Sequence, residues 1–498
     1  MKQSFGSALI HICLWLLFLL SIVFFAWNLS HGPANIVLSE AQIASLKVSL
    51  GLRIDGLSSL LFFMVTLLGA SVGRYAARYL DGERRQRTFD WYLLLTIGCV
   101  SLLVLSSNLL MLFAMWLATS YCLHQLLVYY RERPQAIIAA RKKFIVSRIG
   151  DVCLLGGIAM LYQMTGSFDF DEIFARKNEL ASTHGSNFHF AGVLFAAGAM
   201  TKSAQFPFHF WLPETMETPT TVSALMHAGI INAGGFLIIR MSPLLHLATW
   251  ALTLLTAVGA ITAVFGALVM ATQNDIKKKL AYSTISQMGM MMFGCGLGAF
   301  SIALFHIFAH SFYKAHAFLS TGNLTAESKK RGLKLQAPSM FILLLTSMIG
   351  LAIIAIGVNY HSGDYLAYFV YGAVLQLGLF QNIGHADLSS SSRIRVTAIT
   401  AIGLVLAVTA YAILEHAIGF TVLGIVGPAT DGTSSAFIPI AAYLLFVASL
   451  FLCAQLMRPG QSDWEKRLYV YFWNGGYFSH WSTRWLASPN LQNRQVHS

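Results

Sequence analysis

Residues 200–228 read MTKSAQFPFHFWLPETMETPTTVSALMHA. Pro207, Pro213 and Pro219 interrupt an otherwise apolar stretch; each lacks an amide donor and disfavours continuous helix. Lys202 stands just before the interruption and His227 follows it. Broken backbone at membrane depth is tolerated only inside protein or beside a water-filled cavity, so spanning flanks would make 203–219 the mark of a polar interior. Burial among apolar helices disfavours the charged form of a lysine, which makes Lys202 a candidate proton carrier. Glu214 and Glu217 place charge at the far end of the segment, where a conformational signal would have to leave it.

Composition shows that the flanks do span a membrane. The chain has 498 residues, 56% hydrophobic and 11% charged, whereas soluble proteins average about 25% charged residues. Apolar runs of about 20 residues recur, the length that crosses ~30 Å of hydrocarbon. The alternation of an outer-membrane barrel is absent. The runs predict an all-α polytopic protein of 13 to 14 membrane helices, at about 8–28, 52–73, 91–107, 109–130, 144–164, 189–212, 219–241, 247–271, 280–296, 299–322, 338–358, 364–384, 395–418 and 434–457. The divisions near 108 and 298 rest on very short connections. No small-residue cleavage site follows Trp27-Asn28, so the first run reads as a retained helix. Residues 1–457 form one transmembrane domain and 458–498 a cytoplasmic tail.

Of the 33 lysines and arginines, 25 fall in segments on one side of this topology and only Lys47, Arg53, Arg176 and Lys177 on the other. That bias predicts cytoplasmic termini in a multi-pass bacterial inner-membrane protein. It also accounts for the net charge of +12 through anionic lipid rather than nucleic acid. Two basic residues, Lys202 and Lys314, sit well inside spans, where ionisable groups are functional candidates by default.

Lys314 belongs to ALFHIFAHSFYKAHAFLSTGN, residues 303–323. His306, His310 and Lys314 recur at i, i+4 and i+8, on one helix face. Neighbouring imidazoles can pass protons, since each neutral ring has one donor and one acceptor nitrogen. In SRIGD, 147–151, Arg148 and Asp151 form an i, i+3 pair near an expected helix start. Arg240 and the run 274–279 read as interfacial anchors. The six cysteines form no C-x-x-C, and there is no zinc spacing, GxGxxG, P-loop or haem motif. Neither a metal nor a cofactor is expected in this chain, which reads as a transporter subunit rather than an enzyme.

These segments resemble the proton-translocating antiporter-like family, which includes the large membrane-arm subunits of respiratory complex I (the NuoL type) and the Mrp cation/proton antiporters. The resemblance covers about 52–325. It rests on RIDGLSS (53–59), SRIGD, the 201–228 stretch, NDIKKKLAYSTISQMG (274–289) and FHIFAHSFYKAHAFLSTG (305–322). It implies that Lys202, His227, His306, His310 and Lys314 lie on an ion path, with Arg148 and Asp151 as an accompanying pair. The family's intramembrane glutamate is missing: Leu117 or Ala114 holds its place, and Asp151 or Glu214 could substitute. The family's later lysine is missing too, because 338–457 contains none, and the C-terminal helices 326–457 diverge. The short N-terminus and FHFWLPETMETPTT with GIINAGGFLIIRMSPLL (229–245) look most like the membrane subunits of bacterial DAB inorganic-carbon pumps. That resemblance implies a DabA-type soluble zinc subunit on the cytoplasmic side, hydrating CO2 to bicarbonate at the expense of an H+ or Na+ gradient. The alternatives are a proton-pumping subunit of an NADH:quinone oxidoreductase, a cation/proton antiporter, or a silent membrane anchor for a soluble enzyme.

Overall fold

The computed structural model describes residues 5–43, 46–321, 437–456 and 462–486. The expected spans at 338–358, 364–384 and 395–418 lie outside them. The described chain begins with α1 (Phe5–His31), a hairpin of β1 (Ala34–Ile43) and β2 (Leu46–Ile54), then α2 (Gly56–Tyr79), α3 (Gln86–Val104), α4 (Leu109–Leu127) and α5 (Pro134–Thr165). It continues through α6 (Phe170–Ala175), α7 (Lys177–Lys202), α8 (Trp211–Glu214), α9 (Thr220–Ala228), α10 (Ala233–Arg240), α11 (Ser242–Leu245), α12 (Thr249–Thr272), α13 (Ile276–Gly296) and α14 (Phe300–Leu319). Last come α15 (Phe437–Leu456), α16 (Asp463–Trp473) and α17 (Phe478–Leu486).

Among the described residues, 7 segments are long and apolar enough to cross a membrane: α1 to α5, the α9–α10 unit and α12. α13 and α14 match them in length but are more polar, opening with Ile-Lys-Lys-Lys and carrying three histidines and a lysine respectively. The short connection near 108 is a true break. Asn108 caps α4 by accepting from the Met111 amide at 2.8 Å, and Ser106 and Asn108 bridge to Leu52 and Asp169.

The β-hairpin was not expected, since the fold was read as wholly helical with a span starting at 52. Its strands pair antiparallel, with Ala34 opposite Ile54 and a register shift between Val37 and Ser39, and β2 alternates as LKVSLGLRI. The Arg53 amide donates to the Leu105 carbonyl at 2.7 Å, so the hairpin is seated on one end of the bundle. We call this the hairpin end. Asp55, next in the chain, caps α2 by accepting from the Ser58 amide at 2.8 Å.

α5 begins ten residues before the span expected at 144, so the Arg148–Asp151 pair lies mid-helix. The early boundary was obscured by Lys142 and Lys143, which read as loop charges but are buried, with partners on neighbouring elements. Gly150 lets α5 press against α7, since a Cβ there would lie 1.8 Å from the Thr201 hydroxyl oxygen. This contact holds the end of α7, with Lys202, beside Asp151. α12 and α13 touch through bare backbone: a Cβ on Gly259 would lie 2.5 Å from the Phe293 nitrogen, and one on Gly289 2.3 Å from the Ala263 nitrogen. Small residues at such contacts are how membrane helices approach closely.

The expected tail folds back as two helices. Ser462 and Glu465 form a capping box at the start of α16. The Gln273 amide donates to the Trp473 carbonyl at 3.0 Å, and the Phe478 ring packs against Phe206, His209 and Phe265. This is the tail end of the bundle.

Candidate ion-translocation site

After Lys202 the backbone leaves helix. It passes through Phe206 and a cis Pro207, a 3-10 turn over Phe208–Phe210, α8 and a second 3-10 turn, and regains regular helix only at Thr220. Ser203 donates to the Ile231 carbonyl at 2.6 Å. The start of this interruption is therefore pinned to a second one, the joint Gly229–Asn232 between α9 and α10.

Lys202 is 5% exposed. Its Nζ donates to the Ser120 hydroxyl at 2.7 Å and the Trp116 carbonyl at 3.3 Å, and lies 4.4 Å from the centre of the Trp116 ring. The indole Nε1 donates to Asp151 Oδ1 at 2.9 Å, and Arg148 pairs with Asp151 Oδ2 at 2.7 Å. An aromatic face and a hydroxyl thus stand beside Lys202, with Asp151 on the other side of the indole. The ring quadrupole attracts the ammonium, while the indole N–H satisfies the acid. Of the two substitutes, Asp151 is the one joined to this group. Glu214 is engaged elsewhere, by Lys142 Nζ and by the Ser479 hydroxyl of α17. Lys142 also donates to Thr483 at 2.7 Å and the Ser479 carbonyl at 3.0 Å. Glu217 is exposed and faces Arg133 at 3.5 Å. Pro213 is buried and Pro207 exposed, both within the interruption.

Lys314 forms the second centre. It is 0% exposed and its Nζ donates to the Leu280 carbonyl of α13 at 3.0 Å. His306 and His310 lie with ring centres 6.1 Å apart and nearly parallel. His227 stacks on Phe318 at 4.4 Å, and its Nδ1 is 3.1 Å from the Thr284 hydroxyl. The buried Nε2 atoms of His227 and His310 have no hydrogen-bond partner among the described residues. Asn232, in the α9–α10 joint, donates to the Ser311 hydroxyl at 2.8 Å, immediately after His310 in α14. Imidazoles set one turn apart on α14 are suited to taking up and releasing protons, since a neutral ring carries one donor and one acceptor nitrogen. His316 lies on the exposed side of the same helix.

Several members of these groups carry no signal in the sequence. Trp116, Ser120, Ser203, Asn232 and Thr284 are ordinary polar or aromatic residues there, and Lys142 and Lys143 read as loop charges. Arg240 requires a correction. It is 0% exposed rather than interfacial, donating to Asp55 at 2.6 and 3.2 Å and to the Ser58 hydroxyl at 2.6 Å. Burial opposes charge on Asp55, but Arg240 and Arg53 outweigh it and hold the carboxyl well below the usual carboxylate range. RIDGLSS is therefore the hairpin-end ion cluster. Among the described residues, no group of three His, Cys, Asp or Glu side chains is placed to hold a metal ion.

A helical membrane bundle with paired backbone interruptions and buried lysines defines a class of protein that the comparisons identify. Residues 106–379 match the family model described as NADH:quinone oxidoreductase/Mrp antiporter, TM, and residues 41–89 match that of the NADH-ubiquinone oxidoreductase (complex I) chain 5 N-terminus. The chain belongs to this antiporter-like family of membrane subunits. Over 421 residues it is 36% identical to the "Probable inorganic carbon transporter subunit DabB" of Hydrogenovibrio crunogenus, covering 82% of this chain and 78% of that one. It is 40% identical over 312 residues to the "Probable inorganic carbon transporter subunit DabB2" of Halothiobacillus neapolitanus, covering 62% of this chain and 56% of that one. It is 41% identical over 279 residues to chloroplastic NAD(P)H-quinone oxidoreductase subunit 5 of Physcomitrium patens, covering 55% of this chain but only 39% of that longer one. The fold is shared with the Mrp complex of Dietzia sp. (TM-score 0.60, 23% identity, 99% of this chain and 56% of that one). Respiratory complex I of Thermus thermophilus shares it as well (TM-score 0.55, 21% identity, 95% and 99%).

Proposed function

We propose that this chain is the ion-translocating subunit of an energy-coupled inorganic-carbon uptake complex in the bacterial inner membrane, with both termini and the tail end facing the cytoplasm. The observation that carries the proposal is the pair of buried lysine centres, Lys202 and Lys314, joined through Ser203, Ile231 and Asn232, in a chain aligned with most of a DabB-type relative. On this reading a DabA-type zinc subunit performs CO2 hydration and this chain supplies the driving force. One charge moving through 100 mV releases ~2.3 kcal/mol, enough to bias a reaction near equilibrium about fifty-fold. The coupling must pass through an element with two states, because an ion that merely leaks does no work on a partner. The interruption 203–219 fills that role, since it runs from Lys202 to Glu214 at the tail end.

A second reading, a quinone-oxidoreductase or cation/proton antiporter subunit, draws on the 41% identity to the chloroplast relative. Co-purification with partner identification and zinc analysis separates the two: a large soluble zinc subunit supports the first, a set of membrane subunits the second. The mechanism is tested by inorganic-carbon accumulation in cells treated with a protonophore or, separately, a sodium ionophore, with ATP levels monitored. Accumulation should collapse with the relevant gradient. Accumulation that survives both treatments and fails only on ATP depletion would overturn the proposal.

A further inference from the structure

The two tail helices have unlike faces. Inward, Phe472 is buried against Phe265, the Tyr469 hydroxyl donates to the Thr272 carbonyl at 3.4 Å, and Ser479 and Thr483 accept from Lys142. Outward, Trp464, Arg467 and Tyr471 recur at i, i+3 and i+7 on α16 and are exposed, which puts them on one stripe. The stripe continues across the turn into α17. The Tyr477 ring lies 6.2 Å from Tyr471 and 6.2 Å from His480, and exposed Arg484 follows His480 by one helical turn. Trp464 is 55% and Tyr477 45% exposed. Asp463 and Glu465 stand about 100° to either side of Trp464, so the stripe is aromatic and cationic and holds no acid.

We infer that this stripe lies in the phospholipid headgroup layer and takes anionic lipid there, making α16 and α17 an amphipathic element on the membrane surface. The depth of its attachment comes first. α12 has 24 residues, about 36 Å at 1.5 Å per residue, which exceeds the ~30 Å of hydrocarbon. Its last residue, Thr272, therefore leaves the hydrocarbon at headgroup level. α16 is fastened at that point, by Tyr469 to the Thr272 carbonyl and by Gln273 to the Trp473 carbonyl. α15, an apolar helix of 20 residues with Leu444 exposed, also packs on α16. The bilayer around α12 and α15 is thus continuous with the stripe.

Chemistry agrees with depth. Tryptophan and tyrosine join an apolar ring to a polar tip, the combination that collects at membrane–water interfaces. Arginine offers a phosphate a planar fork of donors, and no carboxylate on the stripe competes for Arg467 or Arg484. Exposed Lys278 and Lys279, at the start of α13 just past Gln273, extend the positive field toward an anionic leaflet. On the inner face, Ser479 and Thr483 engage Lys142 and Glu214, so the membrane surface holds the tail against the interruption 203–219.

Photo-crosslinking of the assembled complex tests the assignment. p-Benzoylphenylalanine replaces Tyr471 or Tyr477, one at a time, in cells and in vesicles of phosphatidylethanolamine with a minor share of phosphatidylglycerol. After irradiation, intact-mass analysis should find a phospholipid adduct at both positions. Phosphatidylglycerol should be enriched in it about five-fold over its share of the bilayer, the pull of one basic residue near the surface. Arg467→Gln combined with Arg484→Gln should return the adduct to the bulk lipid ratio. Where a tyrosine variant does not accumulate, Trp464 takes the probe with the same expectation. A crosslink to protein in place of lipid would make the stripe a subunit-docking face, and the absence of any adduct would leave it open to water; either result overturns the inference. Enrichment that persists in the double arginine variant would overturn the anionic-lipid site.

Discussion

Lys202 and Lys314 both bury an amine and both donate to a backbone carbonyl, of Trp116 at 3.3 Å and Leu280 at 3.0 Å, yet their neighbours differ in kind. Around Lys202 stand an indole face, a hydroxyl, a second lysine and, through the indole, the Asp151 carboxylate with its arginine. Around Lys314 stand His310 and His227, the latter beside Thr284, and among the described residues no carboxylate pairs with it. The first centre is built to keep count of charge; the second is built from groups that can be neutral and still exchange a proton. The hydrogen bonds Ser203–Ile231 and Asn232–Ser311 tie the elements that carry them together, and on the proposed function the two centres act in series.

If the series arrangement is right, Lys202→Ala and Lys314→Ala should each bring gradient-driven carbon accumulation to background, a hundred-fold loss or more, with the complex still co-purifying. Activity surviving in one variant alone would break the comparison by making that centre dispensable. A smaller but still large contrast concerns the histidines. His310→Phe should cost at least ten-fold in the same assay, whereas His316→Phe, on the exposed side of α14, should stay within two-fold of wild type. Equal losses would mean damaged packing instead of a relay. The smallest effects sharpen the contrast between charge-keeping and neutral surroundings. Trp116→Phe keeps a ring over Lys202 but strips Asp151 of a hydrogen bond worth about 1.5–3 kcal/mol to a charged group, so activity should fall about ten-fold. Thr284→Ala removes a neutral partner of His227 worth about 1 kcal/mol and should cost only two- to five-fold. The reverse order would assign the charge-keeping role to the Lys314 centre.

The sequence displayed the residues that are costly to bury. Lys202, Lys314 and the i, i+4, i+8 stripe stand out against apolar runs because an ionisable group in hydrocarbon needs a reason. Arg148 and Asp151 were readable as a pair from spacing alone. What stayed hidden were the partners, since a tryptophan, a serine or an asparagine in a span is unremarkable until another helix is placed against it. Lys142 and Lys143 were hidden differently: the run RKK after the Arg-Pro-containing connection looks like a solvated loop, and only the contact with Glu214 and Ser120 shows it turned inward. Arg240 looked like an anchor because it closes an apolar run, although its partner Asp55 lies 185 residues earlier. The hairpin escaped because its alternation falls in a stretch between two strong helical runs.

The backbone contact between α12 and α13 has a mechanical consequence. With Gly259 and Gly289 leaving no room between the two helices, sliding one past the other would drive side chains into peptide groups. The pair is therefore a strut. It fixes the Leu280 carbonyl and the Thr284 hydroxyl as stationary bearings for Lys314 and His227. Displacement has to be taken up on the opposite wall, where Gly229–Asn232 divides α9 from α10 and Ser203 ties that division to the end of α7. A tilt of α9 about this hinge would draw His227 away from its bearing and tug on Lys202 in a single stroke, so one moving lever would time both centres.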